Sequence, residues 1–179
     1  MEPDYTEKTI SSETKYDGVI VKIRLDEAQL SNGAVVKREL SEHPGGVGVL
    51  AVDESNNCRL VRQFRYAVGK TWLEIPAGKL EPGEDHLECA KRELSEETGC
   101  TATEYIDLGK YILSPGYSTE LLHIYLARGL SSGEAHPDEN ELLNTVSVPY
   151  DALYNQALNN EIEDIKTAMA VLKARVYIK

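Results

Sequence analysis

Three glutamates, Glu93, Glu96 and Glu97, stand at i, i+3 and i+4. In a helix this spacing puts the carboxylates on neighbouring faces of successive turns. They fall in the C-terminal half of a segment, about 85 to 98, that reads as a helix closed by Gly99. The helix dipole disfavours negative charge there by about 0.3–1 kcal/mol per carboxylate. Like charges at this spacing cost roughly a further 0.2–0.5 kcal/mol per pair. Selection for stability alone would place Lys or Arg at these positions. Carboxylates gathered beside a glycine-rich loop, residues 78–83, are what a hard divalent cation binds: oxygen ligands with room for water and phosphate. A solvated acidic face is the plain alternative in a chain with 30 acids.

The frame around these residues is fixed. Gly78 is followed six residues later by Glu84, then eight beyond by Arg92-Glu93, then by Glu96-Glu97 and Gly99. This is the pattern G-x5-E-x7-R-E-U-x-E-E-x-G-U, the Nudix box. Its seven named positions coincide by chance with a probability on the order of 10⁻⁶ at average residue usage. The last position normally takes an aliphatic residue and here holds Cys100, which behaves as a small hydrophobe. The sequence therefore resembles the Nudix hydrolases. The resemblance implies attack of water on a phosphorus of a nucleoside diphosphate joined to another group, with Mg²⁺ or Mn²⁺ held by the box. It implies Glu93 and Glu97 as direct metal ligands, Glu96 as a ligand or the holder of metal-bound water, and the backbone carbonyl of Ala77 as a further ligand. It also implies that Arg92 pairs with a box carboxylate, Glu84 or Glu96, and orients it. Such a metal polarises phosphoryl oxygens and makes a usable nucleophile of water near neutral pH. It also inverts the field that an acidic protein presents to a pyrophosphate.

Three features outside the box resemble the ADP-ribose pyrophosphatase branch. In LSPGYSTE, residues 113–120, Pro115 lies sixteen residues past Gly99. The resemblance places Glu120 near the ribose and the bound water, as a substrate-binding residue. An ordinary Pro-Gly turn is the alternative, and Tyr117 instead resembles the dinucleoside polyphosphate branch. The polar loop at 129–141 contains Asp138-Glu139-Asn140-Glu141, where that branch carries its general base. Glu139 is the better match and Glu141 the other. A long loop suits a base that must swing in to deprotonate water. The third feature is VRQFRYAVGKTWLEIPAG, residues 61–78. Arg65 and, upstream, Arg38 are candidates for phosphate or adenine contact, because Arg offers a planar donor fork; surface ion pairing is the alternative. Glu74 is a candidate assistant to the metal site or to a second subunit's pocket. In this branch the N-terminal strands exchange across a homodimer.

These groups need a scaffold. Val19, Val21, Ile23 and Leu25 alternate with Ile20, Lys22, Arg24 and Asp26, which predicts a strand. Ser31-Asn32-Gly33 marks a turn, and residues 34–40 a returning strand. This antiparallel unit spans 1–42, and 43–179 form the main domain. An isolated hairpin is barely stable in water, so the unit is expected to dimerise. Further strands are expected at 47–52, 59–64, 71–75, about 104–113, about 120–127 and around Val146 and Val148. Leu87, Ala90 and Leu94, with Cys89 as a further candidate, mark the apolar face of the box helix. A second helix starts at Pro149-Tyr150-Asp151 and a third near Asp164, with Ile165, Met169 and Leu172 inward. Strands mixed with helices predict a layered α/β domain. The resemblance sharpens this to an α/β/α sandwich with a mixed sheet and a small N-terminal antiparallel extension.

At 179 residues the chain suits one domain with a small appendage. Thirty acids against 19 bases give a net charge of −11, so nucleic acid is not expected as a partner. No apolar run approaches the roughly 20 residues of a membrane span, and the polar N-terminus MEPDYTEKTI does not read as a secretory signal. Cys58, Cys89 and Cys100 show no CxxC spacing and fit a reducing cytoplasm. The expected activity is metal-dependent hydrolysis of ADP-ribose to AMP and ribose 5-phosphate. Other nucleotide sugars, such as GDP-mannose or UDP-glucose, and dinucleoside polyphosphates are the alternative substrates. A non-catalytic ADP-ribose sensor is a rival of another class. Such proteins usually lose box glutamates and add a basic DNA-binding domain, for which residues 150–179 are too short and too weakly basic.

Overall fold

The computed structural model describes residues 4–137 and 142–178. Its strands are β1 (Glu7–Asp17), β2 (Lys22–Leu30), β3 (Val35–Glu42), β4 (Gly46–Val52), β5 (Asn57–Arg65), β6 (Lys70–Glu74), β7 (Ala77–Lys79), β8 (Cys100–Ile112), β9 (Leu121–Ser132) and β10 (Leu143–Pro149). The helices are α1 (His86–Thr98), α2 (Tyr150–Leu158) and α3 (Ile165–Ala174). The chain divides into two units, Met1–Gly45 with Ile112–Leu121, and Gly46–Tyr111 with Leu122–Lys179.

The first unit is a three-stranded antiparallel sheet in the order β1-β2-β3. The sequence pattern missed β1. Every residue of that strand is exposed, so no alternation of apolar and polar residues marks it. It exists through backbone pairing with β2, which local sequence does not display. The strand expected from Val19 starts instead at Lys22, after a turn in which Gly18 N–H donates to the Val21 carbonyl at 3.0 Å. A distant segment completes the unit. Ser41 N–H donates to the Tyr117 carbonyl at 2.7 Å, and Thr119 N–H donates to the Ser41 carbonyl at 3.0 Å.

The second unit is built on a seven-stranded sheet with main order β10-β5-β4-β9-β8, to which β6 adds beside β5 and β7 beside β4. Pairing of β4 with β9 is parallel, while β5 pairs antiparallel with β4, β6 and β10. Strand β4, GVGVLAV, is buried along its whole length, as a continuous apolar run in a central strand should be. One face packs on α1: Val47, Val49 and Ala51 meet Cys89, Ala90 and Leu94. The other face, with Leu50, is covered by α3. This is the α/β/α sandwich with a mixed sheet expected from the sequence.

Helix α3 is rotated from its expected orientation. Ile165 and Leu172 are exposed and Met169 is half-buried, whereas Thr167, Ala170, Val171 and Ala174 face inward. Polar anchoring sets the rotation. Asp164 caps the helix by accepting from the Thr167 backbone at 3.1 Å and from its hydroxyl at 2.5 Å. Thr167 Oγ1 in turn accepts from Ile75 N–H at 2.9 Å. A small inward face then lets the helix approach β4 closely. The same contact fixes the backbone two residues before Ala77.

Candidate active site

The central helix is set by its ends. Asp85 accepts from Leu87 N–H at 2.8 Å and Glu88 N–H at 3.3 Å, satisfying donors that a helix start leaves open. Gly99 closes it with φ 70°, a conformation that favours glycine. A Cβ at Gly99 would also lie 2.5 Å from the Gly133 carbonyl oxygen. Its absence lets the 133–136 segment close on the helix end. Gly133 N–H donates to the Gly99 carbonyl at 2.7 Å, and His136 N–H to the Glu96 carbonyl at 2.8 Å.

On this helix Arg92 gathers the carboxylates. Its Nε and Nη2 donate to Glu84 at 2.9 and 3.0 Å, and its Nη1 donates to Glu93 at 2.8 Å and Glu96 at 2.9 Å. Glu97 is buried and accepts from Ala77 N–H at 3.0 Å. Glu93 is buried against Gly78. A Cβ at residue 78 would fall 1.9 Å from Glu93 Oε1 and 2.0 Å from its Cδ, so only glycine admits this carboxylate. One guanidinium thus serves three carboxylates. Among the described residues no three His, Cys, Asp or Glu side chains form a ready metal-binding group. Arg92 and the Ala77 N–H hold the acids in separate contacts.

The Arg92 guanidinium, helped by Glu81 N–H, holds the Glu84 carboxyl well below its ordinary 4.5, at about 2. A depressed value stabilises the fold above about pH 4.5, and that contribution is lost as pH falls toward about 2. Arg92→Met should therefore be least stable relative to wild type near neutral pH. The gap should narrow between about pH 4.5 and 2. Thermal melts followed by circular dichroism across this range check it; a constant gap would contradict the Arg92–Glu84 coupling.

The other expected site residues are distributed as follows. Arg65 forks onto fully buried Glu74, at 2.7 and 3.0 Å. Lys166 of α3 also donates to Glu74, and to Asp164 at 3.0 Å. Burial pushes the Glu74 carboxyl up, but Arg65 and Lys166 outweigh it and hold the group below its ordinary range. Arg38 pairs with Glu7 at 2.7 and 2.9 Å in the first unit. Glu120 belongs to that unit too, with its N–H donating to Ser118 Oγ at 3.1 Å. Glu139 and Glu141 lie outside the described residues. Sequence reading missed Lys166 and Thr167 as supports of the Glu74–Ala77 segment. The cap pattern of Asp164 three residues before Thr167 was the available signal. It also missed His86, which stacks on His123 with centroids 4.0 Å apart and bonds Tyr125 through Nδ1.

A NUDIX domain model matches residues 42–170. The chain belongs to the Nudix family. This Nudix chain is 40% identical over 169 residues to the methanol dehydrogenase activator of Bacillus methanolicus, covering 93% of this chain and 91% of that one. It is 39% identical over 167 residues to the ADP-ribose pyrophosphatase of Bacillus subtilis strain 168, covering 92% and 90%. A crystal structure of an ADP compounds hydrolase superposes with a TM-score of 0.84 over 99% of this chain and 97% of that one. Identity there is 22%, so the likeness is one of fold. With its box intact, the Nudix chain is a hydrolase of the pyrophosphatase class. Among the described residues, no helix is long and apolar enough to cross a membrane.

Proposed function

We propose that the chain hydrolyses the pyrophosphate of ADP-ribose to AMP and ribose 5-phosphate with the help of Mg²⁺ or Mn²⁺. The observation that carries this reading is the buried pair Glu93 and Glu97, one seated against Gly78 and the other on the Ala77 N–H. The donor set suits a hard cation. It offers carboxylate oxygens and backbone beside a residue without a side chain. Glu93, Glu97, Glu96 and the Ala77 carbonyl would hold the ion. A bound divalent ion would offset pyrophosphate charge and make water more acidic.

The protein's own groups do the rest. Arg92 orients Glu93 and Glu96, and Thr167 holds the strand end leading to Ala77. Glu139 is the proposed base. It takes a proton from water as the water oxygen bonds to phosphorus and the bridging P–O bond breaks, the leaving phosphate keeping the electron pair. His136, three residues earlier in sequence, is tied to the Glu96 carbonyl, which favours this loop as the source of the base. Arg65, Arg38 and Glu120 are proposed substrate contacts. Arg65 lies close enough to Glu97 for their charges to interact.

The choice of ADP-ribose is supported by the Bacillus subtilis relative. A homodimer through the first unit is proposed because that unit exposes Ile10, Tyr16, Val19, Ile20 and Val35; light scattering would read a dimer mass, and a monomer would remove it. Free, buried Cys58, Cys89 and Cys100 favour a reducing cytoplasm.

A panel of nucleoside diphosphate derivatives with Mg²⁺, products resolved by chromatography, tests the substrate. ADP-ribose should turn over fastest and give AMP. Preference for GDP-mannose, UDP-glucose or a dinucleoside polyphosphate would move the assignment. In the same assay Glu139→Gln should lower kcat by about 10²–10⁴-fold with Mn²⁺ affinity unchanged. Full activity there, with loss in Glu141→Gln, would transfer the role of base.

A further inference from the structure

Gln63 of β5 and Trp72 of β6 are register partners across their antiparallel pair. Directly opposed side chains stand on the same face of a sheet. That face is the one reached by the C-terminal end of α1. On β10, Leu143 pairs with Gln63, and Thr145 pairs with Val61 and donates to the Glu97 carbonyl. On opposite sides of the pair, Arg65 (facing Lys70) and Glu74 (facing Val61) stand on the same face by alternation and join across it at 2.7 Å. Gln63 and Trp72 therefore lie beside the end of the helix that carries Glu97.

Among the described residues, Gln63 Oε1 and Trp72 Nε1 are both shut off from solvent and both without a hydrogen-bond partner. One is an acceptor and the other a donor. Buried polar atoms are nearly always paired, and leaving them unpaired opposes folding. Apolar residues would stabilise this sheet position better. Both residues as a whole are only half-buried, so part of each side chain is reachable from solvent.

We propose that Gln63 and Trp72 form a recognition pair for a substrate group that carries a hydrogen-bond donor beside an acceptor. This rests on the pyrophosphatase reading. ADP-ribose offers that chemistry in two places. The adenine edge sets its 6-amino donor beside the N1 acceptor, and a ribose hydroxyl donates and accepts through one oxygen.

Trp72 is the chain's single tryptophan, so its emission reports on the pair without any turnover. The test titrates the non-hydrolysable α,β-methylene analogue of ADP-ribose, with Mg²⁺, into wild type and Gln63→Met. Wild-type emission should shift, and Gln63→Met should bind about tenfold more weakly. Trp72→Phe, read by calorimetry, should lose a similar factor and decides the matter if melts show Gln63→Met to be unfolded. The inosine analogue, whose 6-oxo edge reverses donor and acceptor, separates the two sources. If the base is read, wild type discriminates against it and Gln63→Met does not; if a hydroxyl is read, the variant weakens both analogues equally. Unchanged emission, or affinities of both variants within about twofold of wild type, would overturn the proposal. Binding as expected, with no hydrolysis of ADP-ribose by wild type, would overturn the activity reading and leave the pair standing.

Discussion

Glu97→Gln should lower kcat/KM for ADP-ribose by about 10³-fold or more, a loss of ~4 kcal/mol in transition-state stabilisation. The substitution is nearly isosteric. Glu97 is only 2% exposed, and its Oε2 accepts from Ala77 N–H at 3.0 Å. The amide oxygen of Gln can accept the same hydrogen bond, so the β7–α1 contact survives and melting should change little. What disappears is one buried negative charge beside Glu93. If the carboxylate serves to hold a divalent ion, Mn²⁺ affinity falls together with turnover. Near-wild-type hydrolysis in Mg²⁺ would remove Glu97 from the proposed metal site. A large fall in melting temperature with kcat intact would make its role structural.

Gly78→Ala is the second large effect. The added methyl would sit 1.9, 2.0 and 2.4 Å from Glu93 Oε1, Cδ and Oε2, well inside contact distance. Glu93 is 9% exposed and bound to Arg92 Nη1 at 2.8 Å, so its carboxylate cannot step aside without breaking that pair. Displacing a catalytic group by about 1 Å costs on the order of 10²-fold in rate, and overpacking at a closed position costs roughly 1–3 kcal/mol of stability. Kinetics and melts on the purified variant should show both losses. Wild-type kcat/KM would mean that the seating of Glu93 against residue 78 is dispensable. The same contact gives a physical reason for the first glycine of the box: that position must have no side chain.

The box helix was legible because each of its determinants is local. Asp85 as cap, Gly99 as stop and the apolar spacing of Ala90 and Leu94 all act within a turn or two. Strand β4 was legible for the same reason, as an unbroken apolar run. The rotation of α3 was not. Its apolar residues suggest one face, but the hydrogen bond from Ile75, 92 residues away in sequence, chooses another. Strand β1 was invisible because a strand exposed along its whole length needs no apolar pattern.

Chemistry that depends on spacing along one helix was therefore written in the sequence: Glu93, Glu96 and Glu97, with Arg92 placed to pair with Glu96. Which partner each charge takes was a tertiary decision. Arg38 pairs with Glu7 and Arg65 with Glu74, while Lys166 reaches Glu74 across 92 positions. The return of residues 112–121, with Pro115, Tyr117 and Glu120, to the N-terminal sheet is of the same kind. So is the facing of Gln63 and Trp72. Periodicity and capping act through a few adjacent peptide units, so they can be read from the chain. Pairings between distant segments depend on the path by which the chain comes back, and only the folded backbone specifies that path.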